Sequence, residues 1–264
     1  MTTYTGSDDF RGARFRDVSL RGARFVRTDL SGVVGRGIDL EGADLDAPWL
    51  FDGGRSLLVN GVDVVPLVEA ELDRRFPGRS QRRADDPAGL RAAWTAVQTA
   101  WGAVIARVRS MPAGTVDVRV DDEWSFAQTL RHLVMATDVW LVRAILERDE
   151  PLHPIGQPNV EYELDGNDPA VFSEPSPTFE RVLDVRSEHV SMVGDYLAAV
   201  TAAELAAERR NPWSPQHPET VLSCLHTILQ EEWEHLRYAV RDLDTIDASA
   251  TGPAVTHGRA TESA

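Results

Sequence analysis

Through the first fifty residues bulky apolar side chains recur every five positions, at Phe10, Phe15, Leu20, Phe25, Leu30, Leu40, Leu45 and Leu50, with Gly35 breaking the series. Ala13, Ala23 and Ala43 stand two residues before several of them. A period of five fits neither the 3.6 of a helix nor the 2 of a strand. It suits a coil of square cross-section, in which each side sends one apolar residue and one small neighbour inward. Beyond residue 86 the pattern becomes helical, and four long helices are predicted at 88–110, 125–147, 178–200 and 219–244. The stretch 51–85 between the two regions reads as a connector. It runs from a Gly-rich start to a short amphipathic helix through Leu67, Ala70, Leu72 and Phe76, stopped by Pro77-Gly78. A proline-rich segment, 148–177, separates the second and third long helices and is too long for a simple hairpin. It is expected to be a crossover or the cover of a site. The predicted domains are therefore 1–50, the connector 51–85 and a helical region 86–246, with a disordered tail over 247–264.

Composition narrows the chemistry. Of 264 residues, 42% are apolar, enough for a sizeable core, and the net charge is −15. All 27 basic residues are Arg, so a phosphate-loop lysine, a Schiff base and a pyridoxal-phosphate anchor are excluded. One cysteine, Cys224, excludes an internal disulfide, a CxxC redox pair and a Cys-rich zinc site. Such an acidic chain is not expected to bind nucleic acid, because that attraction needs Lys and Arg against phosphates. No apolar run is long enough for a membrane span, and the first ten residues are polar, so neither membrane insertion nor a signal peptide is expected and a cytoplasmic location is.

On the fourth predicted helix, at 100° per residue, Val221, Leu225, Ile228, Leu236, Ala239 and Leu243 form one apolar stripe. Glu232 lies in the middle of it, His235 at its edge and Glu231 just beyond, one turn below His235. Glu234 falls on the solvent side and His226 opposite. Ionisable groups on a core-facing stripe demand compensation. On the second helix His132 flanks the stripe of Phe126, Leu133, Ala136, Thr137 and Trp140. His132, Glu231 and His235 would make a His₂Glu set with coordination positions left open, the pattern of a catalytic rather than a structural metal site. Spacing alone leaves two other readings: core-edge histidines hydrogen-bonded to Glu231 and Glu232, or a metal-free acid–base pair. On the third helix Arg186 sits mid-stripe as an internal partner for Glu232 or a holder of a substrate carboxylate. His189 is a possible further ligand, and Cys224 reads as a buried small hydrophobe.

Two family resemblances extend this reading. The segments "RGARF RDVSL RGARF VRTDL" and "EGADL" resemble the pentapeptide-repeat family, which implies a right-handed quadrilateral β-helix of about two turns. The segments "EWSFAQTLRHLVMATDVWLVRAIL" and "LHTILQEEWEHLRYAVRDL" resemble the second and fourth helices of the DinB-like superfamily, which includes the mycothiol-dependent maleylpyruvate isomerases. That resemblance implies an α+β chain, a short pentapeptide-repeat β-helix followed by a DinB-like four-helix bundle. Within it His132 and His235 match two of the family's three histidine ligands. Glu231 stands where the third is usually His, as it does in the maleylpyruvate isomerase branch. The implied cofactor is a divalent metal, zinc first, with nickel or iron also suited to two His and one carboxylate.

The implied activity is activation of a low-molecular-weight thiol such as mycothiol, or of water, for S-transfer, isomerisation or hydrolysis of a small molecule. Glu232 is the candidate general base or partner of the ligands. The alternative is a non-catalytic interaction protein that works through its β-helix, with a vestigial metal site and a possible homodimer. A DNA-mimic role is disfavoured, since residues 1–50 carry seven Arg against eight acids.

Overall fold

A computed structural model of the chain describes residues 2–6, 8–51, 53–150 and 152–251. The chain divides into two compact units, Met1–Asp46 and Ala47–Ala264.

In the first unit the backbone turns every five residues, using two alternating corners. At one kind the carbonyls of Phe10, Leu20, Leu30 and Leu40 accept the N–H three residues on, at 2.9–3.1 Å. The third position of each such turn is glycine (Gly12, Gly22, Gly32, Gly42) at φ +71° to +75°, the left-handed geometry a type II turn requires there. The side chains of Asp9, Asp29 and Asp39 accept the N–H two residues on, at 2.8–3.0 Å, and brace the corner from its near side. Asp17, Arg27 and Gly37, also at positive φ, mark the other kind. The five-residue period is thus built into the corners by local turn chemistry. The expected β-ladder is absent among the described residues of this unit, and the apolar row from Phe10 to Leu45 is exposed. Nearly every described residue of the unit is exposed, so no coil packs on a neighbour, and a ladder needs one.

The second unit starts with a hairpin of β1 (Leu58–Val59) and β2 (Val62–Asp63). Helix α1 (Val65–Arg75) and a 3₁₀ turn, Arg79–Arg83, follow. This region is more than a connector. The 3₁₀ turn packs on the first and last of the long helices, and its Arg79 and Arg82 are buried. Arg79 donates to Asp73 at 2.7 Å, and Arg82 pairs with Glu69. Arg79 also lies 4.0 Å from Glu234, which is buried and receives Arg237 at 2.9 Å. The expectation that Glu234 faces solvent is therefore corrected, because the 3₁₀ turn covers the far side of the last helix.

Four long helices follow close to the predicted positions. Helix α2 (Pro87–Ser110) starts on an Asp86 cap that accepts from Ala88 and Gly89, with Pro87 in the first turn. Helix α3 (Phe126–Thr137) opens with a Ser125/Gln128 capping box and continues as a π-helical segment, Asp138–Ile145. A short turn, α4 (Glu161–Leu164), precedes α5 (Phe179–Ala199), capped by Thr178. After α6 (Ala202–Leu205) and the hairpin of β3 (Glu208–Arg209) and β4 (Glu219–Thr220) comes α7 (Val221–Thr251). The helical end at Thr251 overrides the expected start of a disordered tail at 247, whose remaining residues, 252–264, lie outside the described ones.

The principal neighbours are α2 with α5 and α7, and α3 with the same two, so the four helices form a ring around one core. Leu90, Val97, Trp101, Leu130, Leu133, Val182, Leu225, Trp233 and Leu236 fill it. Each such side chain contributes roughly 1.5–3 kcal/mol by leaving water. The proline-rich segment 148–177 is strapped across α3. Leu152, Tyr162 and Phe172 pack there on Met135 and Val139. Arg131 bolts the strap down by donating to the carbonyls of Ile155 (2.7 Å), Pro175 (2.8 Å) and Gly156 (3.3 Å).

Candidate metal centre

Helices α3 and α7 pack side by side, which brings His132 to Glu231 and His235. The i, i+4 spacing on α7 stacks Glu231 below His235, and Glu231 Oε2 lies 3.1 Å from His235 Nε2 and 3.4 Å from His132 Nε2. One ligand atom from each residue falls within a 4.8 Å group. Both imidazoles are nearly covered, at 13% and 12% exposure, while Glu231 keeps 33%. The site thus has protein on two sides and an open edge at the carboxylate.

The strap fixes one ring. His132 Nδ1 lies 2.9 Å from the Gln157 carbonyl; a carbonyl only accepts, so Nδ1 carries the hydrogen. A neutral His132 then turns the lone pair of Nε2 toward the Glu231 carboxylate, an arrangement that asks for a cation between them, a proton or a metal ion. Ligand atoms bonded at about 2.0–2.1 Å to one tetrahedral ion stand about 3.3 Å apart, which matches the two carboxylate–imidazole distances. The three side chains therefore fit a divalent metal in number, chemistry and spacing. Burial alone would raise the Glu231 carboxyl, but the close approach of the His132 imidazole and the hydrogen bond with His235 hold it well below the usual carboxylate range.

Trp124, in the turn before α3, lies over both rings, with centroids 4.6 Å from His132 and 5.9 Å from His235. Tyr238 approaches His235 edge-on at 5.6 Å. Sequence reasoning missed Trp124 and Gln157, since neither shares the helical period of the ligands. Helical spacing did hold a signal for Tyr238, one turn beyond His235.

The other candidates sit elsewhere. Glu232 is 1% exposed and paired with Arg186 across the core, so it meets an internal partner rather than open solvent. Burial pushes its carboxyl up, against the pull of the Arg186 guanidinium. His189 bonds Asp138 Oδ1 at 2.9 Å and the Val185 carbonyl at 2.9 Å, away from the cluster. His226 meets the Ala84 carbonyl at 2.9 Å, and Cys224 is buried. No described helix is long and apolar enough to cross a membrane.

A family model described as the DinB superfamily matches residues 96–239, more than half of the chain, and one described as pentapeptide repeats matches eight copies over residues 9–46. No curated protein and no solved structure matches.

Proposed function

This chain belongs to the DinB superfamily, and on that premise we propose that it is a metal-dependent enzyme whose His132, Glu231 and His235 hold one divalent ion, zinc first and nickel or iron as alternatives. The reading rests on one observation above all: the Gln157 carbonyl fixes the His132 tautomer so that Nε2 faces Glu231 and His235. A cation held there supplies the positive charge that makes a bound thiol or water a nucleophile at neutral pH. The chain's own residues do the rest. Gln157 and the strap orient His132, Trp124 covers both imidazoles against water, and Glu231 leaves the approach open on its exposed side. The substrate class this favours is a small molecule reacting with a low-molecular-weight thiol such as mycothiol, or with water, in a cytoplasmic setting. Glu232, locked to Arg186, would act by positioning α7 rather than by touching substrate.

For the N-terminal unit the proposal is a short four-sided pentapeptide-repeat β-helix, supported by the corner every five residues and the eight matched repeats. The alternative role, an interaction surface that includes one for another copy of the chain, is favoured by the apolar row as it stands exposed, since a closed β-helix turns that row inward.

The first test is elemental analysis of protein purified without chelator, beside a His132→Ala/His235→Ala variant. About one equivalent of metal per chain, lost in the variant, supports the reading. No metal in either, with melting unchanged by added zinc, overturns it.

A further inference from the structure

Three hydrogen bonds hold the strap at His153. Its N–H donates to Asp138 Oδ2 at 2.8 Å, its carbonyl accepts from the Gly156 N–H at 2.9 Å, and its ring Nδ1 accepts from the Ile155 N–H at 3.2 Å. A backbone N–H can only donate, so Nδ1 carries no hydrogen and the ring is the neutral tautomer with its hydrogen on Nε2. The residue after this turn is Gln157, whose carbonyl orients His132. The His153 ring is thus the post around which the strap winds before it reaches the metal centre.

A positive charge on that ring would find no free partner. His189, on α5, turns Nδ1 to the Val185 carbonyl and Nε2 to Asp138 Oδ1, each at 2.9 Å. Both contacts are acceptors, so His189 holds both its hydrogens, and Asp138 balances its charge. Its ring stands edge-on to His153, with centroids 5.9 Å apart. Arg181 of α5 and Glu174 of the strap also act on His153, and they lie 3.9 Å from each other. Arg148 and Glu150, 4.0 Å apart, line the same groove. Each of these anions is already matched by a cation. Burial, with the His189 charge, pulls the His153 pKa below its ordinary 6.5. Water still reaches the ring, which is partly exposed and lines a groove of about 370 Å³ between the π-helical segment, the strap and α5.

We infer that His153 is a pH-sensitive latch of the strap. Neutral, it keeps the turn wound and the Gln157 carbonyl against His132. Protonated, it sets an Nδ1 hydrogen against the Ile155 N–H, loses that bond and lets the strap lift. The ring holds its proton less tightly in the closed strap than in the open one. Closure is therefore complete above the ordinary 6.5 and weakens as pH falls below it. With an open-strap value of about 6.5, the opening equilibrium rises by up to about tenfold at pH 5.5. The link from latch to metal rests on the site proposed for His132, Glu231 and His235; the latch itself does not.

Digestion of the full chain by proteinase K, scaled at each pH to a short peptide substrate, reads strap opening as cleavage within 148–177. Wild type is expected to be cut about three- to tenfold faster at pH 5.5 than at pH 8. His153→Asn keeps a side-chain acceptor for the Ile155 N–H that does not titrate, and its rate is expected to stay level. His153→Ala lacks the acceptor at every pH and is expected to be cut at pH 8 as fast as wild type at pH 5.5. Nitrogen NMR of the imidazoles reads the tautomers in the wild type itself: at pH 8, hydrogen on Nε2 alone for His153 and on both nitrogens for His189. Equal cleavage of wild type at the two pH values, an Asn variant that rises as wild type does, or hydrogen on His153 Nδ1 at pH 8 would each overturn the inference. Zinc affinity is expected to fall more steeply with acid in wild type than in His153→Asn, and an equal fall would overturn the link to His132. Zinc bound by neither protein at pH 8 would overturn the metal reading, while cleavage still decides the latch.

Discussion

His132 on α3 and Gln157 on the strap are joined by a 2.9 Å hydrogen bond from the imidazole Nδ1 to a backbone carbonyl. The other nitrogen of the same ring lies 3.4 Å from Glu231 on α7. Because the partner is a main-chain carbonyl, what orients the ring is the path of the strap and not the identity of residue 157. Metal affinity is thereby tied to a segment whose sequence, rich in proline, carries no ligand.

Gly156→Ala tests that tie without touching a ligand. A Cβ at Gly156 would stand 2.7 Å from Phe172 Cε1 and 3.2 Å from the His153 carbonyl, so the strap must shift beside Gln157. Partners that orient a metal-bound histidine are typically worth 10–100-fold in affinity. Zinc affinity is expected to fall by about that factor, read by competition with a chromophoric chelator, while Glu231→Gln falls further for want of the anionic ligand.

The strap's own anchor is Arg131. Its guanidinium meets three backbone carbonyls and no carboxylate, and burial pulls its pKa down from the ordinary arginine value. Arg131→Met is expected to cost at least about 3 kcal/mol, since bonds from a charged donor are each worth about 1.5–3 kcal/mol and three carbonyls lose their partner together. Urea unfolding measures the loss. Limited proteolysis is expected to move cleavage into 148–177.

Cys224 offers a pH-dependent readout. Burial, aided by the negative charge of Glu219, pushes its thiol up to about 12. The folded pKa lies above the unfolded one, so the protein binds the proton more tightly when folded. The stability contribution is complete below the ordinary thiol pKa and is lost as pH rises from about 9 toward 12. Native protein at pH 8 is expected to resist iodoacetamide and to react fully in denaturant. Cys224→Ala should flatten the alkaline fall in melting temperature.

Much of this architecture is legible in the chain, for reasons particular residues show. The long helices follow from caps and periodicity: Asp86 with Pro87, the Ser125/Gln128 box and Thr178 mark starts that local chemistry alone determines. His132, Glu231 and His235 could be placed on facing edges because the helical angle is fixed by geometry. What escaped is what depends on contacts distant in sequence. Glu234 reads as solvent-facing until Arg79 arrives from the 3₁₀ turn. Trp124 and Gln157 join the site through a turn and a strap that no period describes. The π-helical widening at Asp138–Ile145 changes the register after His132 without a proline or glycine to announce it. In the N-terminal unit the corners are local and legible, while a ladder depends on neighbouring coils.

The pairing of Arg186 with Glu232 makes the last prediction. The two groups meet across the core from α5 and α7, each about one-twentieth exposed or less. Removing one partner strands the other charge: Arg186→Met or Glu232→Leu is expected to destabilise by about 3–5 kcal/mol. Removing both is different, because an apolar pair of similar volume avoids two desolvation costs and is often neutral or stabilising. The double variant Arg186→Met/Glu232→Leu is therefore expected to unfold within about 1 kcal/mol of wild type, giving a coupling of several kcal/mol in a double-mutant cycle. Metal content separates a positioning role from a purely structural one. If the double variant folds but loses metal, the pair positions α7 for the site; if it retains one equivalent, the pair serves the core alone.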